Sequence, residues 1–181
     1  MAYRPNWHVI TGGPSTGKTS LQQEMAKLGY PTVDEAARLV IDDAIAKDMT
    51  VTDLRSDEKR FQDDVVRRRV EDEAKIDPDK VSFLDRGMQD SLAYYRYYNF
   101  TIEQWITDLI EDARYGLVFL MEPLGIFKED YARTETLDFN DFITDLLLEA
   151  YREYGMEPIL VPPVSVPERV EIVLQHLKDY E

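Results

Sequence analysis

The chain has 181 residues, 44% hydrophobic and 31% charged, which suits a buried core and does not suit a disordered chain. It has no Cys and two His, His8 and His176, which excludes disulfide scaffolds, zinc–thiolate sites, Cys nucleophiles and a His-rich metal centre. Its formal charge of −15 argues against nucleic acid or anionic membrane as partners, though a local basic pocket can still bind an anion.

No apolar run is long enough to span a membrane. Met1-Ala2-Tyr3-Arg4-Pro5 leads directly into a strand-like run without a signal-peptide core, so a cytoplasmic location is expected. Short apolar runs then alternate with helix-length segments along the whole chain. The first run, Trp7–Thr11, is continuously apolar, as in a strand buried on both faces of a parallel sheet. After it comes Gly12-Gly13-Pro14-Ser15-Thr16-Gly17-Lys18-Thr19, which fits G-x-x-x-x-G-K-[ST] at every fixed position. A helix is predicted over Lys18–Leu28, ending at Gly29.

A Gly-rich loop between strand and helix can wrap a phosphate chain. Glycines let the backbone approach, and the helix adds its positive end. The expected nucleotide-binding set is Gly12, Gly13, Pro14, Ser15, Thr16, Gly17, Lys18, Thr19 and Ser20. Lys18 is assigned to the β- and γ-phosphates and the Thr19 hydroxyl to Mg²⁺. No N-K-x-D guanine-reading element is present, so ATP with Mg²⁺ is the expected pair.

The second strand, Pro31–Val33, ends in Asp34-Glu35, and a helix is predicted over Glu35–Lys47. The ends of parallel strands share one crevice. A carboxylate there can take the proton of a substrate hydroxyl, and it can also cap the helix. Arg38 lies one turn on and shares that face. The next helix, Asp57–Ile76, carries Arg67-Arg68-Arg69 among acids at i,i+4 spacing, which predicts a solvated, self-paired face.

The third strand, Val81–Leu84, leads into Asp85-Arg86-Gly87. A carboxylate at this strand end can hold Mg²⁺, directly or through water, or cap the next helix. An acid followed by Arg is frequent here in small-molecule P-loop kinases, with the Arg on the acceptor or the transferred group. On the helix that follows, Tyr94-Tyr95-Arg96-Tyr97-Tyr98 offers rings that can stack on a flat acceptor or fill the core. Thr101-x-x-Gln104 reads as a capping box opening Thr101–Arg114.

The fourth strand is Leu117–Met121. Glu122-Pro123 ends the pattern, and a lid is expected over 124–136, with Arg133 closing over the phosphates and Lys128 as second choice. Acids Glu129, Asp130 and Glu135 can pair with these cations in an ordinary surface loop. A helix over Asp138–Tyr154, a strand at Pro158–Val161 and a last helix opened by Ser165-x-x-Glu168 complete the chain. His8, in the first strand, and His176, on the last helix, are read as structural.

These elements in order resemble the small AAA-type ATPase and kinase family that includes the ribosylnicotinamide kinase domain of the bacterial NAD-regulator protein. The matching features are the P-loop, Gly29-Tyr30-Pro31, Glu35-Ala36-Ala37-Arg38, Leu84-Asp85-Arg86-Gly87 with Asp90, and Arg133-Thr134-Glu135. Tyr151-x-x-Tyr154-Gly155 and Val161-Pro162 before Ser165–Val170 also match. The resemblance spans nearly the whole chain and implies a P-loop kinase fold, ATP and Mg²⁺.

The expected fold is therefore a single α/β domain over 1–181, a parallel sheet of about five strands with helices on both faces. By analogy with nucleotide kinases the order is 2-3-1-4-5. The expected function is phosphoryl transfer from Mg-ATP to a small, nucleoside-like metabolite. Lys18, Glu35, Asp85 and Arg133 are the expected catalytic residues. Thr19 and Asp85 are expected to hold the metal, and Asp34, Arg38, Arg86 and Tyr94 the acceptor. An ATPase switch with a protein partner and a binding module without turnover stay open, as does monomer against homodimer.

Overall fold

A computed structural model of the chain describes residues 5–124 and 137–180. Its elements are β1 (Trp7–Thr11), α1 (Lys18–Lys27), β2 (Thr32–Val33), α2 (Ala36–Ile45), α3 (Val51–Leu54), α4 (Glu58–Glu73) and β3 (Ser82–Asp85). They continue as α5 (Met88–Tyr97), α6 (Gln104–Asp112), β4 (Val118–Met121), α7 (Leu137–Glu153), β5 (Ile159–Val161) and α8 (Val166–Tyr180). The five strands form one parallel sheet in the order β2-β3-β1-β4-β5, as expected.

The continuous apolar runs reflect two covered faces. Ile10, Phe83 and Phe119 pack with Leu21 and Met25 of α1 and Val173 and Leu177 of α8. Val9, Leu84 and Val118, the alternate residues of the same strands, pack on the opposite face with Tyr115, Tyr151 and Met156. Burying each such side chain contributes roughly 1.5–3 kcal/mol. Next to that second face, α5 and α7 share a core with α6 that includes Leu92, Tyr95, Ile106, Ile143 and Leu147.

Register fixes the site. Ile10 lies opposite Asp85 across β1 and β3, so the P-loop and the acidic end of β3 emerge side by side. Val33 lies opposite Leu84, which brings the start of α2 to the same edge.

Three elements depart from the sequence reading by more than a residue or two. The short helix α3 is not anticipated; it is capped by Thr50, whose hydroxyl accepts from the Asp53 amide. The capping box at Thr101 does not form. α6 starts at Gln104, and its N-cap Glu103 spends its carboxylate on Lys59 and the Trp105 indole N–H. α4 ends at Glu73 instead of Ile76, because the chain turns there. The expected lid, with Lys128 and Arg133, lies outside the described residues apart from Leu124.

Candidate active site

The loop between β1 and α1 is held from several sides. Gly12 has φ 141°, and a Cβ there would stand 2.7 Å from the Met121 carbonyl oxygen, so only glycine fits. Lys18 folds back over the loop, and its Nζ donates to the carbonyls of Gly12 (3.0 Å) and Gly13 (2.8 Å). From α7, Asn140 Nδ2 donates to the Pro14 carbonyl at 2.7 Å. From α8, the buried Arg169 donates through Nη1 to the Thr16 carbonyl at 2.6 Å and through Nε to the Pro162 carbonyl. In a planar trans peptide the N–H points opposite to the C=O. The amides of Ser15 and Gly17 therefore face away from Asn140 and Arg169. Thr16 closes on the Gly13 carbonyl, and Thr19 and Ser20 are exposed at the start of α1.

The end of β3 carries a buried charge cluster. Arg86, at the left-handed φ of 75°, donates through Nε to Glu35 (2.7 Å) and through Nη1 to Asp90 (3.1 Å) and the Gly12 carbonyl (3.0 Å). Its guanidinium also lies 5.4 Å from the centre of the Tyr94 ring, in cation–π range. Asp90 is the hub. Beyond Arg86, it accepts from the Thr11 hydroxyl (2.7 Å), the Tyr151 hydroxyl (2.5 Å) and the Gly87 amide (3.0 Å). Asp90 thus supplies the cap of α5, and Asp85 does not.

Asp85 instead sits buried with Oδ1 lacking a hydrogen-bond partner among the described residues. Burial, with Glu35 and Asp90 nearby, pushes its carboxyl up to about 7 against the pull of Lys18 and Arg86. Glu35 behaves oppositely. Burial pushes it up, but Arg86, Lys18 and Arg38 together hold it down at about 2. It is ionised throughout the physiological range.

Beside the loop opens a cleft between α2, α4 and α5. Pro14, Lys18, Glu35, Arg38, Arg86 and Tyr94 all line it, so six of the expected site residues meet there. Asp34 does not join them: it lines a separate groove with Thr32 and Lys80. Successive residues at a strand end point to opposite sides, which parts Asp34 from Glu35. Of the tyrosine run, Tyr94 alone lines the cleft, while Tyr95 is buried and Tyr98 stacks on Phe100.

The reading of Arg67-Arg68-Arg69 as a solvated face is corrected at its third member. Arg67 pairs with Asp64 and Arg68 with Asp43 and Asp72, as a surface would. Arg69 is 5% exposed and lines the cleft. The signal was present in the sequence: Phe61, Val65 and Arg69 repeat at i,i+4, so Arg69 falls on the apolar stripe. Asp90 had a signal as well, three residues after the cap position Gly87. Tyr151 and Arg169 lie in segments that carry the family resemblance, but nothing local showed their partners, and Asn140 had no signal at all, because these partners lie far away in sequence.

The AAA domain family model matches residues 7–169. Among solved structures, the chain is similar to NadR protein in complex with NR, with TM-score 0.72 and 17% identity over 96% of this chain and 50% of that one. It therefore spans about half the length of NadR. It is similar to thymidylate kinase from Ehrlichia chaffeensis, with TM-score 0.67 and 13% identity over 97% of this chain and 100% of that one. Deoxyadenosine kinase from M. mycoides gives TM-score 0.64 and 14% identity over 97% and 100% of the two chains. No curated protein matches the sequence. Among the described residues no helix is long and apolar enough to cross a membrane.

Proposed function

The chain belongs to the AAA domain family of P-loop proteins, and from that premise we propose that it is a Mg²⁺-dependent kinase transferring the γ-phosphoryl group of ATP to a small metabolite. The observation that carries this reading is the Glu35–Arg86 pair, set between the phosphate loop and a lined cleft. A switch ATPase needs a site for water; a kinase needs a second, shaped pocket beside the phosphates. Similar structures with nucleoside or nucleotide ligands, NadR with NR and NadR with NAD and AMP-PNP, support the same reading.

The roles follow from the geometry. Lys18 compensates phosphate charge. Thr19 and Asp85 would hold Mg²⁺, and the unpartnered Oδ1 of Asp85 suits such a ligand. Bound there, the metal supplies charge neutralisation across the phosphates. Arg86 faces the acceptor and the transferred group, steadied by Asp90. The acceptor oxygen bonds to the γ-phosphorus as the bond to the ADP oxygen breaks, and Glu35 receives the hydroxyl proton. Its low pKa makes it a weak base, which suits a loose transition state in which that proton leaves late. Arg38 and Tyr94 position the acceptor. Arg133, outside the described residues, is proposed as the clamp of a lid over 124–136.

The test is incubation with Mg-ATP and a metabolite mixture, followed by mass spectrometry for products heavier by one phosphoryl group. ATP consumption only when an acceptor is present supports the kinase. Consumption driven by a protein partner, without a phosphorylated product, replaces it with the switch.

A further inference from the structure

The acceptor cleft carries more positive charge than phosphoryl transfer uses. In a chain of net charge −15, its lining gathers Lys18, Arg38, Arg55, Arg69 and Arg86 against two acids, Glu35 and Asp90. Most of these cations are committed. Arg86 is taken up by both acids. Arg55 is forked onto Glu58 by two bonds. Lys18 belongs to the phosphate loop.

Arg69 is different. It lies on the inner face of α4, 5% exposed. Its Nη1 donates to a neutral group, the Ser91 hydroxyl of α5, at 2.6 Å. Its Nε has no hydrogen-bond partner among the described residues. One turn on, Glu73 already accepts from the Tyr115 hydroxyl at 2.7 Å; burial raises its carboxyl, against the pull of that bond and of the Arg69 charge, and no hydrogen bond from Arg69 reaches it among those seen. A buried guanidinium with a carboxylate only at a distance, one bond to a hydroxyl and an open Nε is better satisfied when an oxyanion completes its shell. The apolar neighbours Phe61 and Val65 on the same wall can take the uncharged body of a ligand.

We propose that the acceptor carries an anionic oxygen group, a phosphate monoester or a carboxylate, received by Arg69 and Ser91 with Arg38 on the facing helix, while its reacting hydroxyl or phosphate oxygen lies at Glu35. This rests on the kinase reading above and narrows it from metabolites at large to anionic ones. A guanidinium offers a planar fork that matches either group, and lysine does not.

The experiment offers Mg-ATP with matched pairs: nucleosides and their 5′-monophosphates, and polyols and the corresponding hydroxy acids. Products are read by mass spectrometry. The charged member of a pair is expected to be the acceptor, and the two series distinguish phosphate from carboxylate. Arg69→Gln should lower kcat/KM for that acceptor by about 10- to 100-fold, the loss of a charge-assisted hydrogen bond, with KM for ATP within about twofold. Ser91→Ala should give the same selective loss on a smaller scale, and it decides the matter if Arg69→Gln does not fold. A neutral member accepted as well as its charged twin, or variants within about threefold of the parent, overturns the inference and leaves the kinase standing. If no pair is phosphorylated, binding decides. With the P-loop filled by Mg-AMP-PNP, the monophosphates or hydroxy acids should raise the melting temperature of the parent and not of Arg69→Gln. No shift in the parent overturns the inference.

Discussion

The two halves of the site are built in different ways. The phosphate half is held by redundancy: the carbonyls of Gly12, Gly13, Pro14 and Thr16 are each fixed by a side chain from α1, the end of β3, α7 or α8. The acceptor half is a cleft whose walls come from α2, α4 and α5 and whose cations are only partly matched. The first half follows a spacing set by phosphate geometry and can be rigid. On the kinase reading proposed above, the second must fit one acceptor, and its charges are left for that ligand to complete.

Removing the charge at the centre of the phosphate half should have the largest effect. Lys18→Ala is expected to lower turnover by about 10³-fold, at the upper end for one electrostatic stabiliser, and to weaken Mg-ATP binding in calorimetry. The melting temperature should move by only a few degrees, since Arg86 still holds the Gly12 carbonyl. Unchanged ATP affinity would remove the distinction between the halves.

Asp85→Asn comes next. Turnover should fall by about 10²-fold and its dependence on Mg²⁺ should weaken. Stability should move the other way. Because the folded-state pKa of Asp85 is raised to about 7, the folded protein favours the protonated form. The parent therefore loses stability as pH rises from about 4 through 7, as the buried carboxylate ionises. Without metal, the Asn variant should melt a few degrees above the parent at pH 8 and close to it at low pH. Equal melting at both pH values would mean that Asp85 carries no buried charge.

How much of this could be read from the sequence divides along the same line. The P-loop is contiguous, its spacing is dictated by phosphate geometry, and the acids at Asp85 and Glu35 end strands that apolar runs reveal. The supports of that loop were not legible: Asn140 reaches Pro14 and Arg169 reaches Thr16 across more than a hundred residues. No local pattern encodes such a meeting. The cleft was half legible. Arg38 and Arg86 follow from strand-end logic and Tyr94 from the run of rings on the following helix, whereas Asp34 and Glu35 are parted by backbone alternation that adjacent acids do not announce. At Arg69 the i,i+4 charge spacing points to a solvated face, but the apolar stripe of Phe61 and Val65 on which it lies carries it inward.

Glu35→Gln probes the seam between the halves. Because Arg86 and its fellow cations keep Glu35 ionised far below neutrality, its loss removes charge balance for Arg86 as well as a weak base. Turnover should drop by about 10²-fold, the low end for loss of a general base, with ATP affinity little changed. The pH–rate profile of the parent should show no step from Glu35 between pH 5 and 9. A step there that vanishes in the variant would assign Glu35 a pKa near neutrality and a stronger role in proton transfer.

The smallest effect on turnover is expected at His8, which supports the phosphate half from within the sheet. His8 is fully buried in β1, and its Nδ1 accepts the Leu117 amide at 2.9 Å. That bond requires the neutral ring, and burial lowers its pKa from 6.5 to about 4. The sign follows: the unfolded chain takes up a proton near pH 6.5 and the folded one only near 4. Stability is therefore complete above pH 6.5 and is lost progressively as pH falls toward 4. Between pH 7 and 5 the loss is about 2 kcal/mol, or several degrees of melting temperature in a domain of this size. His8→Asn keeps an acceptor for Leu117 and cannot titrate. It should start less stable, because a smaller side chain leaves space beside Phe83, yet lose less stability over that interval. Turnover at neutral pH should stay within about twofold of the parent. Amide exchange corrected for pH should show acid loosening the β1–β4 seam before α2 and α4. If parent and variant lose stability in parallel, another group titrates in that window, and the rigidity of the phosphate half does not depend on a neutral His8.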